Sequence, residues 1–560
     1  MSTSDLKVAI AKLEKTILED NKVDRAEAEL LLAFAKPKAA DNAEMAEFAE
    51  LLEGALADGV VTAEESIRIG ARLKWLTREV TATEPETGFL GKLFKLKGNR
   101  TTAKTEIAAG ITTFMTMSYI LAVNPNLLSM AGIPRGGVFM ATCVASVVGT
   151  LCMAFMSNYP FVLAPGMGLN AFLTFGVCLG MGYSWQFALL AVFVEGLVFL
   201  ALSLTPVRES IFNAIPFSLK KAVAAGIGLF ICFIALQTSG VIVNNDATLV
   251  GLISFKNADI HTNGICALLA LAGTLLTGLM LVKNVRGAIL IGILATWGLG
   301  MVCQATGLYV PNPAVKCFSL YPNLTLDGLA QNFTEFGQTL GALFNASGWT
   351  HVSKDGAVLG AGWDLVKSLD FFVVMFAFFF VDLFDTLGTL IGVSMKGGFL
   401  DKNGKLPRIS GALCADSIAT SVGAVLGTST TTTYVESASG VMAGGRTGLT
   451  AVTSAALFAL AIVFAPVFLA IPAFATAPAL IVVGYMMLSS CADVDWRDAG
   501  EAVPAFLAVA AMPFTYSISD GIMFGVISYT VINAFAGNLR RIHWIMYILT
   551  LVFIAKYALM

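Results

Sequence analysis

Long apolar runs separated by short polar turns fill the chain from residue 105 to its C-terminus. A helix needs about 20 apolar residues to cross the hydrocarbon core of a bilayer, and most of these runs approach that length. Of the 73 Lys, Arg, Asp and Glu residues, 33 lie in residues 1–100, which leaves 40, or 8.7%, for the other 460 residues. Soluble domains carry about 25% charged residues. The sequence therefore predicts an all-α polytopic membrane protein.

Fourteen membrane segments can be counted, seven on each side of a long loop at residues 306–369. The first seven lie at 105–123, 138–157, 161–178, 186–204, 222–240, 264–282 and 287–305, and the second seven at 371–393, 410–427, 434–443, 448–470, 477–490, 502–516 and 521–537. We expect a first repeat over 105–305, a second over 370–540 and a C-terminal apolar helix over 541–560. The stretch 542–559 is either a fifteenth span or a helix that lies against the others.

Positive charge in the connections indicates how the chain is oriented. Short cytoplasmic loops of membrane proteins carry an excess of Lys and Arg. With a cytoplasmic N-terminus, the inner loops hold 13 such residues, whereas the short outer loops hold only Arg135 and Lys256. This asymmetry predicts a multi-pass protein of the plasma (inner) membrane, with its N-terminus in the cytoplasm and residues 306–369 outside.

An odd number of spans in each half means that the second half enters the membrane from the opposite side, which predicts inverted repeats. The third segment of each half, the third and tenth overall, is also interrupted. Pro and Gly break the first, and a run of Thr and Ser favours extended backbone in the second. Matching broken segments indicate a binding site, because their half-helix N-termini direct free amides at the middle of the membrane. We expect the site backbone to include Gly166, Gly168, Thr432 and Thr433.

Four acidic residues lie clearly inside predicted spans: Glu195, Asp382, Asp385 and Glu436. Each costs about 2.5–3.5 kcal/mol on insertion scales, and no Lys or Arg lies mid-span to pair with them. Burial disfavours the charged form, so some of these carboxyls should hold a proton part of the time, as a proton-coupled carrier requires. All four are candidates for proton coupling. Alternatively, Glu195 bonds to a neighbouring helix and Asp382 braces the segment that contains Asp385.

Residues 1–85 have the composition of a small soluble helical domain with an internal repeat of 38 residues. Both copies contain the spacing of a capping box, Asp24-x-x-Glu27 and Thr62-x-x-Glu65, at which a new helix begins. Neither copy has the ligand spacing of a calcium-binding loop, so we predict no metal site. Residues 86–104 form a basic linker next to the membrane.

Several classes of function are excluded as leading hypotheses. A net charge of −3 without a basic stripe argues against a nucleic-acid partner. The spans contain no arrangement of nucleophile and base and no metal-ligand cluster, so we predict that the protein is not an enzyme and needs no cofactor. The nine cysteines form no CxxC motif and are interpreted as small buried hydrophobic residues.

Six motifs resemble those of one family of transporters. They are KTEIAAGITTF (104–114), APGMGLNAF (164–172), VDLFDTLGTLIG (381–392), GTSTTTTYVESASGV (427–441), AGGRTGLTA (443–451) and ATAPALIVVG (475–484). Together they resemble the AzgA-like purine permeases, a branch of the nucleobase/ascorbate transporter superfamily (nucleobase cation symporter family 2). The likeness extends over roughly residues 90–540, and the N-terminal 85 residues depart from it.

The resemblance implies proton-coupled uptake of adenine, guanine or hypoxanthine by a 14-span fold of two inverted repeats, divided into a core and a gate domain. It places the substrate contacts on Asn170, Asp385 and Glu436, and it implies a homodimer in the lipid membrane with the proton as coupling ion. An aromatic residue such as Phe172 or Phe384 would stack on the purine. Two alternatives remain open at this point: a purine-sensing receptor that uses the N-terminal domain, and an anion transporter of the same fold.

Overall fold

The part of the chain that the structure describes is almost entirely helical, with three short two-stranded sheets. The structure is a computed structural model. It describes residues 13, 17, 23–39, 43–56, 61, 63–76, 88–203, 216–245, 248–256, 258–283, 285, 287–312, 317–322, 326–353, 355–401 and 406–559.

Three helices of the N-terminal region, α1 (Arg25–Ala35), α2 (Ala43–Leu56) and α3 (Ala63–Leu76), pack around their own apolar core. The predicted capping box of the first copy is confirmed. The Glu27 amide donates to the Asp24 carboxylate at 2.8 Å, and the Asp24 amide donates to the Glu27 carboxylate at 3.0 Å. Thr62 of the second copy lies outside the described residues, although α3 begins directly after it. Helix α3 also contacts the long helix at residues 369–397.

Twenty further helices follow. They are α4 (Gly88–Phe94), α5 (Ala103–Met117), α6 (Ile120–Leu128), α7 (Arg135–Ser157), α8 (Met167–Ala171), α9 (Trp185–Ser203), α10 (Phe217–Thr238), α11 (Ile265–Val282), α12 (Ala288–Ala305), α13 (Leu326–Thr339), α14 (Trp363–Val366), α15 (Leu369–Gly397), α16 (Ile409–Leu426), α17 (Ser437–Met442), α18 (Gly448–Ala461), α19 (Ala465–Leu469), α20 (Ala473–Leu488), α21 (Ala499–Thr515), α22 (Ile518–Phe535) and α23 (Trp544–Leu559). The strands are β1 (Leu163–Pro165), β2 (Ile242–Asn245), β3 (Leu249–Leu252), β4 (Thr350–Val352), β5 (Val358–Ala361) and β6 (Thr431–Thr433).

Eleven helical stretches in the described ranges are long and apolar enough to cross a membrane, which supports a multi-pass membrane protein. The three predicted segments that are not among these eleven are 161–178, 434–443 and 502–516. The first contains strand β1 followed by helix α8, and the second begins directly after strand β6 and contains helix α17, because of the broken backbone that their sequences predict. The third is the 17-residue helix α21, which contains two prolines.

The long helices form two groups according to their contacts. The first bundle consists of α5, α7, α9, α15, α16 and α18, and the second bundle consists of α10, α11, α12, α20, α21 and α22. The short helix α8 contacts α15 of the first bundle and α10 of the second. The C-terminal helix α23 packs against α22, where the Thr550 and Thr530 hydroxyls are 2.9 Å apart.

The segment 306–369, predicted only as a loop, contains the helix α13 and the β4–β5 hairpin. Helix α13 binds the ends of two spans. Its Glu335 carboxylate accepts the Gly136 amide at the start of α7 at 2.7 Å, and its Thr339 hydroxyl donates to the Leu426 carbonyl at the end of α16 at 3.0 Å. These bonds satisfy backbone groups that helix ends leave free. Helix α13 is therefore attached to the first bundle.

A buried carboxylate joins the first membrane helix to the start of α18. Glu106 of α5 is fully buried and accepts the Arg446, Thr447 and Thr450 amides at 2.8–3.2 Å, together with the Thr450 hydroxyl at 2.6 Å. An acidic group at a helix N-terminus is stabilised by the free amides and by the helix dipole. Glu106 therefore acts as a cap supplied from another helix, which sequence reasoning had not predicted.

Replacing Glu106 with Ala should lower the thermal stability of the protein. The substitution leaves buried donors without an acceptor, and each unsatisfied group costs about 1–3 kcal/mol. We expect a clear drop in Tm, measured by thermal unfolding of the purified protein in detergent. Asp364→Ala is the control, because that carboxylate is 93% exposed and should leave the Tm unchanged. Equal Tm values for the two variants would contradict the capping role.

Candidate functional site

The two broken segments meet in a buried antiparallel pair of strands. Strand β1 pairs with β6, so that Ala164 lies opposite Thr432, and all six strand residues are buried. The pairing continues on both sides: the Gly166 amide donates to the Thr430 carbonyl at 2.9 Å, and the Tyr434 amide donates to the Val162 carbonyl at 3.0 Å. Extended backbone inside a bilayer has no water to bond with, so each segment satisfies the other.

Each strand leads directly into a helix that begins at the crossing. Gly166 precedes α8, which continues without a break as a π-helical stretch to Gly180, and Glu436 precedes α17. The first amides of a helix have no partner within the helix and attract acceptor groups. The crossing therefore gathers the first amides of α8 and the acidic side chain of Glu436 in one place.

Asp385 and Glu436 both lie at this crossing. Asp385 approaches from α15, and a methyl group built onto Gly166 would lie 3.7 Å from its Oδ2 atom. Glu436 accepts a hydrogen bond from the Tyr119 hydroxyl at 2.8 Å. Both acids are partly exposed, whereas Asp382 is fully buried. A solute at the crossing can therefore reach Asp385 and Glu436.

Asn170 lies at the same crossing, where its side chain bonds to both broken segments. Its side chain is fully buried, and its Oδ1 atom accepts a hydrogen bond from the Ser429 hydroxyl. Its Nδ2 atom makes a long contact of 3.5 Å to the Pro165 carbonyl. In this structure the Asn170 amide connects α8 to the segment that precedes β6.

Thr386, which sequence reasoning missed, connects the helix of Asp385 to strand β6. Its hydroxyl lies 2.9 Å from Asp416 Oδ2, 3.2 Å from Asp382 Oδ1 and 3.3 Å from the Thr432 hydroxyl. Asp416 in turn accepts the Thr433 amide at 3.1 Å. Asp382 is thus part of a buried bracing network behind Asp385, as one of the two sequence interpretations proposed.

The remaining candidates lie as follows. Glu195 is buried on α9, and at its neighbour Gly196 an added methyl group would lie 2.5 Å from the Ser421 hydroxyl of α16. Phe172 is buried against Phe378, with ring centroids 4.8 Å apart. The side chain of Phe384 lies outside the described part of the structure.

Two tyrosines at the crossing were also missed. The Tyr434 hydroxyl donates a hydrogen bond to the Pro165 carbonyl at 2.5 Å. Tyr434 belongs to the second broken segment. Tyr119 is separated from its partner Glu436 by 317 positions, so no local pattern indicates the contact. Tyr434 lies in the motif at 427–441, two residues before Glu436, so the sequence could have indicated this residue.

The two helical bundles and the crossed, broken segments define the class of this protein, an all-α membrane transporter. A family model described as "Permease family" matches residues 104–524. The guanine/hypoxanthine permease PbuO of Bacillus subtilis is 42% identical over 466 residues, which are 82% of this chain and 98% of that protein. The adenine permease AdeP of Escherichia coli is 39% identical over 485 residues, 86% of this chain and 98% of that protein.

The chain therefore belongs to the permease family, and the resemblance to the AzgA-like branch of the nucleobase/ascorbate transporters is confirmed. Among solved structures, the transmembrane domain of a cyanobacterium bicarbonate transporter, BicA, superposes with a TM-score of 0.51 at 14% identity. That match covers 76% of this chain and 97% of the other. At this identity the likeness concerns the fold alone.

Replacing Gly166 with Ala should impair transport. The added methyl group would lie 2.6 Å from Thr432 Cγ2, which forces the two crossing strands apart. Overpacking of this kind costs about 1–3 kcal/mol, and we expect uptake to fall about tenfold. Gly388→Ala on α15 is the matched control, because nothing lies within 4 Å of its added methyl group. Normal transport by Gly166→Ala, at equal amounts in the membrane, would show that the crossing tolerates this expansion.

Proposed function

We propose that the protein imports purine nucleobases, with adenine, guanine or hypoxanthine as substrate, together with a proton. The observation that carries the proposal is the pair of partly exposed acids, Asp385 and Glu436, at the buried crossing of two broken helices. PbuO is named a guanine/hypoxanthine permease and AdeP an adenine permease, which supports the purine class.

The chemistry of the two acids suits a purine. A carboxylate accepts N–H donors, and purines present such donors along their edges beside ring acceptors. The first amides of α8 supply donors for those acceptors. Asn170, although engaged with Ser429 in this structure, completes the proposed substrate contacts.

Proton coupling follows from the closeness of the two acids. Two neighbouring carboxyls inside a membrane repel each other when both are charged, so the pair favours a state that holds one proton. A neutral purine would bind to this protonated pair. Release of the proton in the cytoplasm would restore the repulsion and weaken purine binding.

We propose that the two bundles are the core and the gate domain of 14 spans arranged as two inverted repeats. Movement of the first bundle relative to the second would then expose the crossing to one side of the membrane at a time. We also propose a cytoplasmic N-terminus and a plasma-membrane location, which the lysine and arginine pattern supports. The homodimer that the resemblance implies belongs to the same proposal.

An anion is a poor substrate for this site. The fold neighbour BicA is described as a bicarbonate transporter, but its 14% identity transfers no substrate. A site bordered by Asp385 and Glu436 would repel an anion, and among the described residues no Lys or Arg forms an ion pair with either acid. The acids therefore favour a neutral solute with N–H donors.

Glu436→Gln should abolish proton-dependent purine uptake, and Asp385→Asn should impair it strongly. Hydrogen bonds to a charged group are worth about 1.5–3 kcal/mol, so we expect at least about a tenfold loss. The measurement is uptake of radiolabelled hypoxanthine, adenine and guanine by expressing cells, with and without a protonophore. Asp364→Asn on the short helix α14 is the control, because that side chain is 93% exposed. Uptake by Glu436→Gln that equals the wild type and still depends on protons would refute the assignment.

Removal of residues 1–85 distinguishes a carrier from a purine-sensing receptor. The family model begins at residue 104, and PbuO and AdeP match over 98% of their own length, so transport should not require the N-terminal domain. We expect the truncated protein to retain hypoxanthine uptake. A complete loss of uptake by a truncated protein that still reaches the membrane would favour a role for the domain in the activity itself.

A further inference from the structure

An aromatic cluster connects the two bundles beyond the crossing. The ring of Tyr516 contacts Phe175, Phe230 and Phe233 edge-to-face, with centroid distances of 5.6, 5.4 and 5.9 Å. Phe230 and Phe233 belong to α10, and Tyr516 ends α21, so these three rings lie in the second bundle. Phe175 lies in the π-helical stretch that continues α8. The Phe175–Tyr516 contact is therefore made between two different parts of the protein.

Phe175 is held by the first bundle. The helix that contains it runs from Met167 to Gly180, close before Tyr183, and its Asn170 side chain is bonded to Ser429. The Tyr183 hydroxyl donates to the Asp370 carboxylate at the start of α15 at 2.8 Å. Both ends of the segment are thus attached to the elements around the crossing, and Phe175 should move with them.

Tyr516 is fixed in the second bundle. It ends α21 in a left-handed backbone conformation, with φ at +58°, and its hydroxyl donates to the Gln237 side chain at 2.7 Å. A left-handed backbone conformation is strained for a residue other than glycine, and it persists where the surroundings hold the residue. The three phenylalanines and Gln237 provide that hold. The strain is tolerated at the position that directs this ring towards Phe175.

The contact lies between the crossing and the end of the molecule that bears residues 306–369. Phe175 follows Asn170 by five residues, about 7 Å along a helix. A few residues later the chain pairs with β4, because the Val352 amide donates to the Gly182 carbonyl at 2.9 Å. Nearer the crossing, Gly168 allows α8 to approach Ile227 of α10. The Phe175–Tyr516 and Gly168–Ile227 contacts together form one seam between the bundles.

We propose that the Phe175–Tyr516 contact is the outer gate of the transport pathway. It closes the route from residues 306–369 to Asp385 and Glu436, and it opens when the bundles separate. The proposal rests on the proposed transport function and adds the residues that control access. Two aromatic edges exclude water and ions when they touch, and they offer faces on which a purine can stack as it passes.

Cross-linking tests the gate. In the Phe175→Cys/Tyr516→Cys double variant, a short, reducible bifunctional thiol reagent should join the two positions, with the product identified by mass spectrometry. We expect hypoxanthine uptake to fall at least about tenfold, because transport requires the gate to open, and to return after reduction. The Phe175→Cys and Tyr516→Cys single variants, treated with the same reagent, control for reaction with the nine native cysteines.

Phe187→Cys/Phe371→Cys is the matched control, because these rings have centroids 5.5 Å apart and both belong to the first bundle. Its cross-link should leave uptake unchanged. Undiminished uptake by protein shown to be cross-linked between positions 175 and 516 would overturn the gate. Loss of uptake in both cross-linked pairs would overturn it as well, since the effect would not be specific to the seam.

A second measurement does not require transport, so it separates failure of the gate from failure of the proposed function. Phe175→Ala and Tyr516→Ala should increase labelling of Asp385 and Glu436 by a membrane-impermeant carbodiimide added to the outside of sealed vesicles. Phe187→Ala should not. Labelling equal to the wild type in both gate variants would overturn the proposal. Increased labelling without purine uptake by the wild type would retain the gate and reject the proposed substrate.

Discussion

Backbone pairing between β1 and β6 is the interaction on which the rest of the site depends. Each strand alone would expose free amides and carbonyls inside the membrane, at a cost of several kcal/mol for each group. Pairing removes that cost only if the two segments, more than 260 positions apart, meet in one register. Three hydrogen bonds stabilise this register: Ser429 to Asn170, Tyr434 to Pro165, and Thr433 to Asp416. The pairing of β1 with β6 therefore sets the positions of the short helices α8 and α17 and of the acids beside them.

The acidic residues of the membrane segments have different roles, and the exposure of their side chains distinguishes them. Glu106 and Asp416 accept backbone amides and are structural, since a carboxylate with fixed donors has little capacity for a ligand. Asp385 and Glu436 are partly exposed and lie at the meeting point of the two broken segments. Thr386 lies next to Asp385 in sequence and bonds to Asp416, so Asp416 helps to position the helix that carries Asp385.

Composition and periodicity were sufficient to predict the membrane class, most of the helices and the two broken segments, because lipid imposes long apolar helices and leaves few reasons for Pro, Gly or Thr runs within them. The sequence also indicated Asp385 and Glu436, since mid-span acids are costly. It could not reveal Tyr119, Thr386 or the capping role of Glu106, whose partners lie far away in the chain. The helix and hairpin in 306–369 were missed because short amphipathic elements outside the membrane have no comparably strong pattern.

Helix α13 has a practical consequence for anyone who wants to observe this protein in motion. Because Glu335 and Thr339 bind the ends of α7 and α16, this helix should follow the first bundle as a rigid body. An antibody fragment raised against its outer face would add mass on one side of the detergent micelle without covering the crossing. Such a fragment would serve as an alignment marker for electron microscopy, and its tilt relative to the second bundle would report the conformational state of each particle.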